Sequence, residues 1–381
     1  MAEKIEKPYR VGIIGGGRQG TVHAREYHLN SSTEVVAVAD TDPDNLDLFC
    51  QRFNCAGYAS YEEMLTKERI DIAAPVLPVS INADAVIASA HAGVRAVSCE
   101  KPLTASLKDA DRMVDECRSR NVLFAAGLVP RNYSQHWKAR EMIEAGEIGS
   151  VRSINVYDSN GQGGCHGVNM ALHFAGDAEV DWLVGTVDGD PLSDGDPGDS
   201  SFDYKAAGGI GGYIRFKNGI DCFSHRAQTP KHGIEVVGEQ GIFFSDFFTT
   251  FRIWKNKGSK LKEVKGAFPA PSPRANPDGS RIRDDEGWIV STDGMRDTVQ
   301  ALVVALDTGK IPKLTTGADL QRCLEICIAL RESHRKGFET VRLPLENRNL
   351  TLYPIPMRWS YKKDEMNADW YAEQMAQFHQ A

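Results

Sequence analysis

Between Tyr9 and Val129, short apolar and β-branched runs alternate with longer polar segments. The runs are Tyr9–Gly15, Glu34–Ala39, Ile70–Leu77, Val94–Cys99 and Val122–Val129. Helical segments fill the intervals, at Arg18–Asn30, Pro43–Phe53, Tyr61–Glu68, Asn82–Ala92 and Ser106–Arg120. Gly93 stands where a helix C-cap needs positive φ. Strands separated by crossovers of helix length predict a parallel, doubly wound α/β sheet, the Rossmann arrangement. Beyond Val129 the rhythm changes. Val151–Tyr157, Gly212–Phe216, Ile220–His225, Ile234–Val237 and Ile242–Phe244 are β-rich runs broken by Asn218-Gly219 and Gly241. Arg296–Leu306 and Leu320–Ser333 carry helical periodicity, and no internal repeat is visible. The change of rhythm predicts two domains, 1–130 and 131–381.

Composition narrows the class. The 381 residues suit about two domains. Lys plus Arg number 44 against 52 Asp plus Glu, a net charge of -8, and no basic run stands out. That argues against a nucleic-acid surface. Met1–Arg10 is charged and unlike a signal peptide, and no stretch reaches the roughly 18 apolar residues of a membrane helix. The cysteines at 50, 55, 99, 117, 165, 222, 323 and 327 form no CxxC pair, so reduced thiols are expected and no metal site. The expectation is a soluble cytoplasmic protein without membrane or nucleic-acid partners.

Candidate chemistry begins at the first strand. Gly15-Gly16-Gly17-Arg18-Gln19-Gly20 fits G-x-G-x-x-G, with Gly15 for the tight turn, Gly17 for close approach to a pyrophosphate and Gly20 for helix–strand packing. The helix beginning at Arg18 would offer its first N–H groups to the phosphates, with Arg18 and Gln19 at the same edge. Asp40 ends the second run, where a carboxylate bonds the adenosine ribose. A carboxylate there repels a 2′-phosphate, and Thr41 brings no cation to neutralise one. NAD is therefore favoured over NADP, although Arg18 leaves a route to the phosphate.

At Glu100-Lys101-Pro102 the chain resembles the Gfo/Idh/MocA oxidoreductases, the family of glucose–fructose oxidoreductase and the inositol dehydrogenases. The likeness takes in the glycine loop, AGVRAVSCEKPLTAS, Arg131, EMIEAGEIGSVRSINV, IEVVGEQGIFFSDF and Thr316-Gly317-Ala318-Asp319 before a helix. It implies an α+β C-terminal domain on a large, mostly antiparallel sheet, with one face to the active site and the other used in oligomers (dimer, tetramer or hexamer). It also implies hydride transfer between NAD and a secondary hydroxyl of a sugar, glycoside or polyol such as a cyclitol.

The resemblance carries over residue by residue. Lys101 would lie beside the nicotinamide and the reacting hydroxyl, where an ammonium steadies a developing alkoxide. Glu100 and Pro78 would touch the cofactor. Relatives carry Thr-Pro-Asn and then a His near Pro78; Leu77-Pro78-Val79-Ser80-Ile81-Asn82 keeps only the proline. Where the family has an Asp and a His four residues apart on one helix face, this chain has Asn169 and His173. Asn cannot accept a proton but can orient a hydroxyl, so acid–base duty is assigned to His173, with Asp177 orienting it if the helix runs that far. The departure from Asp favours a glycoside or modified sugar over free inositol. His166, between glycines, is a second candidate for the pocket. Arg131 is expected to bond a cofactor or substrate oxygen, and Tyr133, His136 and Trp137 to follow it on a helix, with Tyr133 lining the pocket.

Thr186–Tyr204 and Lys265–Glu286 read as solvated loops. The segment after Pro344, with Trp359, Tyr361, Trp370, Tyr371 and Phe378, reads as an arm packed on its own or a neighbouring subunit. Two other activities remain open, a redox-neutral glycoside cleavage using bound NAD and a non-catalytic cofactor-binding regulator.

Overall fold

The computed structural model describes residues 8–127, 129–158, 160, 164–188, 209–226, 231–270, 293–310 and 313–352. Most of the acidic loop, Lys265–Glu286 beyond residue 270 and the aromatic residues from Trp359 onward therefore lie outside the described residues.

Six parallel strands form the first sheet: β1 (Tyr9–Ile14), β2 (Thr33–Ala39), β3 (Ala56–Tyr58), β4 (Ile72–Pro75), β5 (Ala96–Cys99) and β6 (Leu123–Ala126), in the order β3-β2-β1-β4-β5-β6. Their crossovers are α1 (Arg18–Leu29), α2 (Pro43–Phe53), α3 (Tyr61–Lys67), α4 (Val79–His91) and α5 (Leu107–Ser119). Every residue of β4 and β5 is buried, as expected for strands covered on both faces. Side chains start three of the helices: Asp42 accepts from the Asp44 N–H, Ser60 from Glu63 and Ser106 from Asp109. The strand β3 is absent from the sequence reading, because three residues containing a glycine give no apolar run. The order reverses direction between β1 and β4, and that divide opens a crevice at the strands' C-terminal ends.

Nine strands form the second sheet: β7 (Val151–Tyr157), β8 (Val180–Val187), β9 (Ile210–Phe216), β10 (Asp221–Ser224), β11 (Gly233–Gly238), β12 (Gly241–Ser245), β13 (Phe251–Lys257), β14 (Lys260–Glu263) and β15 (Val341–Arg342). The order is β14-β13-β12-β11-β7-β10-β9-β8-β15, and all neighbours but β7 and β10 are antiparallel. This is the mostly antiparallel sheet the resemblance implies. The sequence reading lacks β8, β13, β14 and β15; the last three are short or end in exposed Lys and Asn, which blurs the period-2 signal.

Among the described residues four further α-helices follow: α6 (Ser134–Glu144), α7 (Gly167–Phe174), α8 (Asp293–Thr308) and α9 (Gly317–Arg335). At the start of α9, Thr316 and Asp319 form a reciprocal capping box. The expected division at residue 130 is recrossed by α8, whose Met295, Val299, Leu302 and Val303 share a core with Tyr9, Val11, Ala24 and Tyr27. The Tyr9 hydroxyl donates to Asp307 at 2.7 Å on the same seam. No described helix is long and apolar enough to cross a membrane.

Candidate active site

The glycine loop is built as a cradle. Gly15 has φ +96°, and a Cβ there would come 2.4 Å from the Val76 carbonyl. A Cβ on Gly20 would lie 1.8 Å from the Gly15 carbonyl, so any side chain would drive α1 off β1. Gly17 is the N-cap of α1, and no side chain caps that helix. Its first N–H groups are thus left for an anion, as a pyrophosphate requires. Arg18 and Gln19 are half-exposed at this edge. Asp40 accepts from the Gly16 N–H at 2.7 Å and the Asp42 N–H at 2.8 Å, which holds its carboxylate over the loop. Pro78 is the N-cap of α4, just past β4, and Val76 donates to Ile14 across the divide. The residues fit a dinucleotide.

Lys101 follows β5, and the Lys101–Pro102 peptide is cis. Asn82 on α4 straps this segment, its amide donating to the carbonyls of Glu100 (3.3 Å) and Leu103 (3.1 Å). Lys101 is buried, with Nζ 3.7 Å from Glu100 Oε1. The other carboxylate oxygen takes a 2.9 Å hydrogen bond from His23 Nε2 on α1.

Across from Lys101 lies the approach to α7. Burial pushes the Cys165 thiol up to about 12, while the Lys101 charge pulls it back and the charges of Asp158 and Glu100 add to the rise. Cys165 thus marks where the two sheets' contributions meet. The end of β7 fixes the start of α7: Gly167 donates to Asp158 and Val168 to Asn160, both at 3.1 Å. His166 is the half-buried N-cap residue, with its ring edge-on to Phe248 at 6.2 Å. Tyr133 is buried, with its ring edge-on to the same Phe248 at 6.0 Å.

Three of the expected residues have surroundings that the spacing did not foresee. The helix carrying His173 stops at Phe174, and Asp177 adopts φ +58° and pairs with Arg131 and Arg140 instead of the imidazole. Arg131 is buried with its fork on Asp177 (2.8 and 3.1 Å) and Asp319 3.5 Å away, while its Nε has no hydrogen-bond partner. His173 is fully buried and donates from Nε2 to the His136 carbonyl at 3.3 Å, while Nδ1 has no partner. Its ring lies edge-on to Trp137 at 4.7 Å. Burial first, then the Arg131 and Arg140 charges, push its pKa well below the usual histidine range.

His173 also lines a surface hollow of about 560 Å³ with Ser150 and Val151, at the opposite end of β7 from Asp158. Seven residues separate His166 from His173, or about 10 Å along the helix axis. Asn169 lies between them, fully buried, donating to the Cys165 carbonyl (3.3 Å) and Thr315 Oγ1 (3.1 Å). Asn169 and His173 stand four residues apart within α7, every residue of which is buried. His23 and Asp158 were not singled out from the sequence, whereas Cys165 lies in the segment beside His166 that was; only the bond from His23 to Glu100 and that from Gly167 to Asp158 bring the first two in. Among the described residues no cluster of His, Cys, Asp and Glu could hold a metal ion.

Comparison with known proteins agrees with the cradle. Residues 9–128 match the oxidoreductase family, NAD-binding Rossmann fold. The chain is 27% identical over 258 residues to a myo-inositol 2-dehydrogenase of Thermotoga maritima, covering 62% of this chain and 75% of that one. It is 30% identical over 151 residues to dTDP-3,4-didehydro-2,6-dideoxy-alpha-D-glucose 3-reductase of Saccharopolyspora spinosa, covering 39% of this chain and 45% of the relative's length. That match spans less than half of the relative. An oxidoreductase from Agrobacterium radiobacter, solved with NAD+, L-tartaric acid and magnesium, superposes with a TM-score of 0.67 at 18% identity, covering 88% of this chain and 98% of that one. At that identity the likeness is one of fold.

Proposed function

Through residues 9–128 the chain belongs to the Gfo/Idh/MocA oxidoreductase family, and from that premise we propose that it moves a hydride between NAD and a secondary hydroxyl of a sugar, glycoside or cyclitol. The observation that carries this reading is Lys101, buried beyond β5 with its charge felt by Cys165, next to His166. When bound, the nicotinamide supplies the hydride acceptor or donor. The chain supplies the rest. The loop Gly15–Gly20 and the uncapped start of α1 hold the pyrophosphate, and Asp40 takes the ribose hydroxyls and disfavours a 2′-phosphate.

Lys101 exchanges the proton of the reacting hydroxyl, and its positive form stabilises the oxygen's developing charge. His166, at the open end of α7, is the imidazole placed to share that proton or to hold a neighbouring hydroxyl. Asn169 positions the Cys165 segment through its two donated hydrogen bonds. His173 is assigned a packing role by its enclosure. A sugar, glycoside and cyclitol panel read by NADH absorbance tests the proposal. Lys101→Ala should cut kcat by about 10²-fold or more with cofactor affinity nearly intact. Near-wild-type turnover in that variant would remove Lys101 from the chemistry.

A further inference from the structure

A buried chain of three titratable groups runs from the reacting centre into α1: Lys101, Glu100 and His23, all less than a tenth exposed. Its geometry is uneven. Glu100 Oε2 accepts from His23 Nε2 at 2.9 Å, whereas Oε1 has no hydrogen bond and stands 3.7 Å from Lys101 Nζ. A buried carboxylate oxygen without a donor is costly, so Glu100 has reason to swing onto the lysine. Its backbone cannot move to do so: the Glu100 N–H donates to Pro75 at 2.8 Å, and Asn82 holds the Glu100 carbonyl. Only the side-chain torsions are available, and His23 restrains them.

The His23 ring is itself fixed. It is fully buried, and Gly127 leaves it room, since a Cβ at 127 would come 2.7 Å from Cε1. With Nδ1 facing no partner, the tautomer that satisfies the network has its proton on Nε2, donated to Glu100.

We propose that His23 is a positioning residue for Lys101: it holds the Glu100 carboxylate back from the ammonium, so that the lysine can release and regain a proton at the substrate. The inference rests on the reading of Lys101 as the proton-exchanging group. The Cys165 thiol also feels the Lys101 charge, together with that of Asp158. Neither contacts His23 in any described hydrogen bond, so a change at His23 reaches Lys101 through Glu100.

The test reads Lys101 directly in the full, cofactor-free chain. Carbamylation by cyanate at a fixed alkaline pH is followed by peptide mass spectrometry and normalised to the exposed Lys67 and Lys313. His23→Leu removes the donor, Glu100 closes on Lys101, and labelling of Lys101 should fall at least about threefold. His23→Gln keeps an N–H donor and should restore labelling to within about twofold. Glu100→Gln removes the charge and should raise labelling by a similar factor. With a responsive substrate, His23→Leu should lower kcat about tenfold at unchanged KM, a part of what a proton-transferring group contributes.

Unchanged Lys101 labelling in a folded His23→Leu, or His23→Gln behaving like His23→Leu, would overturn the proposal. If His23→Leu does not fold, Glu100→Gln decides alone, and labelling that does not rise rejects it. Absence of NADH formation with every sugar and cyclitol would sink the functional reading while leaving the labelling result intact. The two failures are thereby distinguishable.

Discussion

The two ends of helix α7 each carry a histidine, and their surroundings are opposite. His166 is the half-buried N-cap residue that follows Cys165, whose thiol feels the Lys101 charge. His173, two turns on, is buried against Trp137, Phe174 and the α6 backbone beside the hollow at the far end of β7, with its pKa pushed well down. The same side chain on the same helix is half-buried at one end and fully buried at the other. Spacing along a helix tells which residues share a face. It does not tell which way the face points, because that is set by what the helix packs on.

The largest effect that could break this comparison is kinetic. His166→Ala should lower kcat by about 10²-fold, while His173→Phe should leave kcat per folded molecule within about twofold and act on stability. Steady-state kinetics together with thermal melts of both variants decide it. The reverse pattern would return the acid–base role to His173 and mean that α7 turns its other end to the substrate.

A second test uses pH. His136, fully buried and donating to the Pro130 carbonyl at 2.7 Å, is lowered to about 4 by burial. His173 is lowered in the same direction by burial and two arginines. For a base with a depressed folded pKa, the unfolded chain takes the proton first. Stability is therefore full above the unfolded value near 6.5 and falls as pH drops from there toward the folded pKa. His136 alone accounts for a loss on the order of 3 kcal/mol across that window. Urea midpoints at pH 7.5 and 5 should differ, and His173→Phe should shrink the difference. An undiminished difference in that variant would mean the imidazole is not sealed.

The smallest effect sharpens the contrast between the two halves of the site. Asp40→Ala should weaken NAD binding by about tenfold and narrow the gap to NADP, since about 1.4 kcal/mol separates each decade. Titration of both cofactors reads this. Unchanged affinities for both would mean that Asp40 serves only the loop, through its bonds from Gly16 and Asp42.

The Rossmann half was legible for a physical reason. A strand buried on both faces must be apolar throughout, a crossover must be helical, and the phosphate turn must be glycine, so each requirement leaves its own mark on consecutive residues. Asp40 and the glycine loop were singled out because each sits at a strand end that local pattern identifies, and Lys101 because Glu100-Lys101-Pro102 carries the family resemblance. The edge strands β3, β14 and β15 escaped because a few residues, partly in water, carry no periodic signal.

The sequence by itself therefore determined the parallel sheet, the cradle and the lysine beyond β5. Tertiary structure alone decided the direction of α7, the loss of Arg131 to Asp177 and Asp319, and the meeting of His23 with Glu100 across 77 positions. These depend on how elements pack against one another. Burial and the distance to a neighbouring charge, which set what a titratable side chain can do, are properties of that packing and have no counterpart in local spacing.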